Sequence, residues 1–375
     1  MITIKAAVAE SKGAPFEIAE LELDEPRPDE VLVRMVACGI CQTDSHAWHQ
    51  HLPVPLPAIL GHEGAGVVER IGSTVTSVAA GDHVVLSYQA CGRCRQCFGG
   101  HYPYCDRAGD ANFGGARLDG TNGVHRHRGA DIAGDVHGHF FGQSAFATYA
   151  LTTERNTVKV PDDIPLEILA PLGCGLQTGA GAVLNTFRMS PRESIAVFGT
   201  GAVGLAAVMA ARVAAASAII AVDVNAERLA LASELGATHT INPRDADVAK
   251  ELRRITGRGV NYVLETSGRK EMLPHAVNAL APLGQVGLVA SAGSDATVEV
   301  ANLMPGNQVR GIIQGDAIPQ LFIPQLIELY KAGQFPFDRL IRHFPFEEIN
   351  EAFAAAASGD VIKPVLRIAQ NQNTT

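Results

Sequence analysis

Ile195-Ala-Val-Phe198-Gly199-Thr-Gly201-Ala-Val-Gly204 is the stretch that decides how this 375-residue chain is organised. Four apolar residues read as a buried strand, and the glycines after them permit a tight turn, a close backbone approach and a helix packed on the strand. Asp223 lies nineteen residues beyond Gly204, just after the next apolar run, Ala218 to Val222. Together these features form a dinucleotide fingerprint, in which a pyrophosphate sits on the N–H groups that open the helix and the acid accepts from ribose hydroxyls. An acid at that point repels a 2′-phosphate, so NAD is favoured over NADP. The expected cofactor contacts are Gly199, Gly201, Ala202, Val203, Gly204 and Asp223, with Arg228 placed to touch the adenosine ribose and Thr178 counted with them.

Working outward, strands alternate with helices from about residue 177 to 311: Ile195–Phe198, Gly204–Ala214, Ala218–Val222, Ala226–Leu235, Tyr262–Glu265 and Val286–Val289. That alternation predicts an α/β fold with a doubly wound parallel sheet. Before it, short apolar runs broken by turns, such as Glu30–Ala37 and Gly64–Ile71, predict a mostly β domain over residues 1–176. After it, residues 312–375 read as two amphipathic helices, Phe322–Ala332 and Glu347–Ala357, and a strand, Lys363–Ile368, that returns to the first domain. The Gly- and His-rich stretch Gly109–Gly142 reads as one extended loop whose histidines, His125, His127, His137 and His139, are solvated. The polar end, Gln370–Thr375, reads as disordered.

Six of the seven cysteines fall into two useful sets. Cys91, Cys94 and Cys97, with Cys105 eight residues on, are four thiolates that one tight loop folds around a tetrahedral ion, the pattern of a closed structural zinc site. A ferredoxin-type iron-sulfur loop would bring its fourth cysteine three residues on, followed by proline; here seven residues intervene and Asp106 follows. Cys41, His62 and Cys174 are dispersed, and two Cys with one His leave a coordination position open, as catalytic zinc requires. Asp44 is placed to hydrogen-bond the far nitrogen of His62 and fix its tautomer, and Glu63 puts a carboxylate beside the site.

A formal net charge of -9 without a long basic run argues against a nucleic-acid partner. The N-terminal residues carry no visible export signal, and the apolar stretch Val203–Val222 is broken by Arg212, so neither export nor membrane insertion is expected. Cysteines spaced for metal and not for disulfides fit a cytoplasmic protein.

Phe140-Phe-Gly-Gln-Ser144, Pro171-Leu-Gly-Cys-Gly-Leu-Gln-Thr-Gly-Ala-Gly-Ala182 and Phe335-Pro-Phe-Asp-Arg-Leu340 complete a likeness that runs the length of the chain. It resembles the zinc-dependent medium-chain alcohol dehydrogenases, and within them the bacterial aryl-alcohol (benzyl alcohol) dehydrogenases; the geraniol dehydrogenases are similar too. The resemblance implies a GroES-like catalytic domain carrying both zinc sites, a Rossmann NAD domain, and a homodimer or homotetramer. It implies that Thr43 hydrogen-bonds the substrate hydroxyl and that its proton passes through the cofactor ribose to His46. The expected reaction is reversible oxidation of a primary aromatic alcohol, with Trp48, Tyr88, Phe140 and Phe141 walling an apolar slot. The alternatives are an allylic terpenoid substrate such as geraniol, a glutathione-dependent formaldehyde dehydrogenase, and a non-catalytic NAD-binding protein.

Overall fold

The computed structural model describes residues 1–126, 135–290 and 295–368. His127 and the polar end Gln370–Thr375 lie outside the described residues. Two compact units emerge: Met1–Cys174 with Ile318–Pro324 and Asp338–Thr375, and Gly175–Ala317 with Gln325–Phe337.

In the second unit six strands hydrogen-bond in the order His239–Ile241, Ala218–Val222, Ser194–Phe198, Val260–Glu265, Leu280–Leu288, Gln308–Gly311, and every pairing is parallel. In chain order that is third, second, first, fourth, fifth, sixth, the doubly wound arrangement the glycine turn predicts. The central strand Ser194–Phe198 is buried along its whole length, because helices cover both faces of such a sheet. Ala202–Val213 forms the helix after the turn. Ala226–Leu235 is capped at Asn225, whose side chain accepts from the N–H groups of Glu227 and Arg228, and ends at Gly236 with φ +128°.

The first unit is built on two sheets. Ile341–Pro345, Lys363–Arg367, Glu30–Gly39, Gly64–Ile71, His83–Leu86 and Thr157–Lys159 run side by side, with Tyr149–Thr153 also pairing with Glu30–Gly39. Ala58–Ile59, Ile2–Ala9, Glu17–Leu23 and Val124–Arg126 form the smaller sheet. The core between them holds Ala6, Val8, Val33, Met35, Leu60 and Phe146.

Two expectations need correction. Gly109–Gly142 is not one loop: Ala108–Phe113 is helical, Val124–Arg126 joins the smaller sheet, and Phe140–Gly142 makes a 3-10 turn. Nor are the described histidines all solvated. His125 bonds Asp24, and His139, in the left-handed region at φ +61°, turns its ring inward and is only 8% exposed. Among the described residues no helix is long and apolar enough to cross a membrane.

Candidate active site

The site begins where the strand Glu30–Gly39 ends and the short helix Gln42–Trp48 starts, with Cys41 as its N-cap residue. Asp44, fully buried, folds its carboxylate back on three donors: the Cys41 N–H at 2.9 Å, the Gly61 N–H at 3.1 Å and His62 Nδ1 at 2.8 Å. Gly61 takes φ +88°, and a Cβ there would lie 2.6 Å from the Phe146 backbone, so only glycine lets this turn lay His62 against Asp44. With Nδ1 committed as donor, the His62 lone pair is presented at Nε2.

Nε2 is buried and makes no hydrogen bond. Around it, ligand atoms of Cys41, His62, Glu63 and Cys174 all lie within 4.8 Å of one another. Glu63 is turned elsewhere: both its oxygens accept from Lys363 Nζ, at 3.0 and 2.9 Å, and Lys363 also donates to the Ile40 carbonyl at 3.0 Å. Burial pushes the Glu63 carboxyl up, while Glu63 holds the buried Lys363 firmly protonated. The Cys41 thiol is drawn well below its ordinary range by its contact with Cys174, against burial, and further by His62. Two thiol sulfurs and an orphaned imidazole nitrogen therefore converge, a soft N/S donor set that fits zinc with a fourth position left over.

Gln143 holds this geometry from behind. Its amide donates to the His62 and Ser87 carbonyls and accepts from the Gly64 N–H, while Ser87 donates to the carbonyl of Gly173, next to Cys174. Phe141 stacks on the His62 ring at 4.4 Å, and Phe140 meets it edge-on at 5.5 Å. Tyr88, following Ser87, is buried. Trp48 lies in the aromatic cluster of the core instead, 5.1 Å from Phe16 and 5.4 Å from Phe353, its indole N–H on the Ala14 carbonyl. Thr43 Oγ1 lies 3.8 Å from Cys41 Sγ, and His46, one turn further along the helix, is held below its ordinary pKa by burial and by His51.

The second cluster is compact. Ligand atoms of Cys91, Cys94, Cys97 and Cys105 lie within 4.8 Å of one another, with Cys94 and Cys97 sulfurs 3.5 Å apart. Backbone N–H groups of Cys91 and Arg107 point at Cys105 Sγ, and that of Asp106 at Cys94 Sγ, drawing the Cys94 thiol down to about 7. N–H groups aimed at sulfur favour thiolate, the form a metal needs, but at Cys105, as at Cys97, burial outweighs them and pushes the metal-free thiol up.

In the second unit the glycine turn has the expected shape. Gly199 takes φ +90°; a Cβ on Gly204 would meet the Gly199 carbonyl oxygen at 2.0 Å, so this glycine is required by helix-to-strand packing. A Cβ on Gly201 would meet nothing within 4 Å, which leaves open room for a ligand at the helix start. Asp223 stands at the end of the neighbouring strand, facing this turn.

The alcohol dehydrogenase GroES-like domain family matches residues 27–162, and the zinc-binding dehydrogenase family matches residues 202–332. The chain belongs to the zinc-binding medium-chain alcohol dehydrogenase family. Geraniol dehydrogenase from Castellaniella defragrans is 43% identical over 97% of this chain and 98% of its own length. The crystal structure of an alcohol dehydrogenase zinc-binding domain protein from Burkholderia ambifaria, 51% identical, superposes with a TM-score of 0.95 over 98% of this chain and 100% of that one. The crystal structure of benzyl alcohol dehydrogenase from Acinetobacter calcoaceticus, 46% identical, gives 0.94 over the same shares.

As in other zinc-binding alcohol dehydrogenases, zinc and a nicotinamide cofactor are the working groups, and the cysteine clusters have the chemistry to hold the metal. Two residues around the site escape sequence reading. Lys363 looks like the first residue of a strand, and its only signal is a lysine at the head of an apolar run. Gln143 lies inside a quoted stretch, but nothing local assigns its amide three partners.

Proposed function

We propose that this protein is an NAD-dependent dehydrogenase of primary aromatic alcohols, interconverting benzyl-type alcohols and their aldehydes. The observation that carries the reading is the pair of phenyl rings, Phe140 and Phe141, packed on the imidazole of His62, the one nitrogen ligand of the open-coordination set. Apolar rings beside the reacting centre favour a flat, conjugated substrate and exclude water. The 46% identity to a benzyl alcohol dehydrogenase supports it. The 43% identity to a geraniol dehydrogenase favours a second reading, an allylic terpenoid alcohol, whose conjugated product makes similar demands.

In this reading Cys41, His62 and Cys174 hold catalytic zinc, and Cys91, Cys94, Cys97 and Cys105 hold structural zinc. When bound, catalytic zinc supplies Lewis acidity toward the substrate hydroxyl, and NAD supplies the hydride acceptor. Asp44 keeps His62 in the tautomer that presents Nε2. Thr43 Oγ1 accepts the hydroxyl proton while giving up its own, and His46, whose pKa burial lowers, takes that proton onward to solvent. The open turn at Gly201 orients the dinucleotide, with Thr178 and Arg228 among its contacts, so that substrate carbon and acceptor meet in a fixed pose.

The test is NADH formation by zinc-replete enzyme from benzyl alcohol, geraniol, ethanol and hydroxymethylglutathione, with Cys174→Ser as control. The highest kcat/KM for benzyl alcohol, with an inactive control, supports the aromatic reading. A higher value for geraniol moves the protein to the terpenoid branch, and preference for hydroxymethylglutathione or for none of the four sinks both.

A further inference from the structure

The residue between the first two glycines of the turn is tied to the acid that meets the ribose. Thr200 is fully buried, and it gives Asp223 two hydrogen bonds: its N–H reaches Oδ2 at 2.7 Å and its hydroxyl reaches the same oxygen at 2.8 Å. The other oxygen, Oδ1, accepts from the Asn225 N–H at 3.0 Å. A carboxylate offers about four lone-pair directions, two on each oxygen. Oδ2 is therefore full, and the remaining capacity sits on Oδ1.

We propose that Thr200 is a specificity-determining positioning residue for the cofactor, acting through Asp223. It pins Oδ2 so that Oδ1 alone is offered to a ribose hydroxyl, and so that the carboxylate has no second orientation to retreat to when a 2′-phosphate approaches. Rejection of NADP by an acid depends on that acid staying in place: a carboxylate free to turn about its Cβ–Cγ bond relieves part of the repulsion. Arg228, expected at the adenosine ribose, would offer a 2′-phosphate a counter-charge, so rejection rests on the carboxylate holding its place. Asn225, which follows, is committed as the cap of the Ala226–Leu235 helix through the Glu227 and Arg228 N–H groups. The inference rests on the NAD reading and deepens it, since any residue able to occupy the turn satisfies the glycine fingerprint, whereas only a hydroxyl supplies the second donor to Oδ2.

The experiment is a fluorescence titration of NADH and NADPH against the full-length, zinc-replete protein, comparing wild type with Thr200→Val, Thr200→Ser and Asp223→Ala. Valine keeps the shape and the backbone donor and removes only the hydroxyl. NADH binding should weaken about fivefold in Thr200→Val, and the ratio of NADPH to NADH dissociation constants should fall about tenfold. Serine should restore both, and Thr200→Val should add nothing in an Asp223→Ala background, because Thr200 then has no carboxylate to hold. A Thr200→Val protein with the wild-type ratio overturns the proposal and leaves the NAD reading standing. So does a tenfold change that persists without Asp223, since that marks a packing effect. Wild-type protein that binds NADPH as tightly as NADH overturns both.

Discussion

Asp44 shows how much one carboxylate organises here. It caps the helix at Cys41, receives the Gly61 N–H and fixes the His62 tautomer, so it acts on two of the proposed metal ligands at once. Asp44→Asn keeps the size and loses the charge, and an amide cannot accept as strongly from Nδ1 and both backbone donors. Zinc affinity should drop about 10–100-fold, read by competition with a chelator, with secondary structure retained. His139 makes a different prediction. Burial, and then the positive charges of Arg117 and Arg27, press its pKa down to about 3. Between there and the ordinary value near 6.5 the unfolded chain binds a proton that the folded one does not. Stability must therefore rise with pH through this window and fall as pH drops from about 6.5 toward 3. Asparagine tolerates the left-handed backbone at this position, so His139→Asn should remove this contribution, about 2 kcal/mol between pH 6.5 and pH 5. Urea unfolding at both pH values checks it; an unchanged pH dependence means that the ring is already protonated or paired in the fold. At this scale the sequence was readable where partners are near or chemically distinctive. The Asp44–His62 contact spans eighteen residues and follows from residue type, whereas Glu63–Lys363 spans 300 and leaves no trace short of the fold.

Among the elements, the glycine turn separates two uses of one residue type. Gly204→Ala drives a methyl onto the Gly199 carbonyl and should cost about 1–3 kcal/mol of stability, visible as a lower unfolding temperature. Gly201→Ala meets open space, so the unfolding temperature should hold while NADH affinity falls severalfold by titration. Equal effects on stability at the two positions would refute this division. The four-cysteine lobe has little besides its metal ligands to hold it, its buried cluster being Ala90, Cys97 and Cys105. Cys97→Ser should take the protein from two zinc ions per chain to one, and should open the segment around residues 91–113 to limited proteolysis while the Cys41 site stays loaded. The strand and helix alternation of the second unit was legible because buried parallel strands are continuous apolar runs. The Ala108–Phe113 helix was not, because six residues ending at Gly114 carry too few turns for a period to register.

For the molecule as a whole, motif order and apolar patterning pointed to a mostly β part and a nucleotide-binding part, whereas the tail expected to return whole from residue 312 is divided, Gln325–Phe337 packing with the second unit. Which wall of the site each aromatic ring forms was not foreseeable. Trp48 and Phe141 look equivalent on paper, yet one packs with Phe16 and Phe353 and the other covers His62. That difference depends on contacts between segments far apart in the chain, Trp48 with Phe353 and Phe141 with His62.

The strand Lys363–Arg367 lies beside Glu30–Gly39, and its lysine closes on Glu63, the residue after His62. A ribosome therefore makes the Cys41 and His62 segment early and must finish almost the entire polypeptide before the neighbour of Glu63 exists. The stretch from 175 to 317, local in its contacts, has everything for its own sheet in hand sooner. The carboxylate beside His62 thus waits for its counter-charge until the last strand has emerged, long after most strands of both units exist.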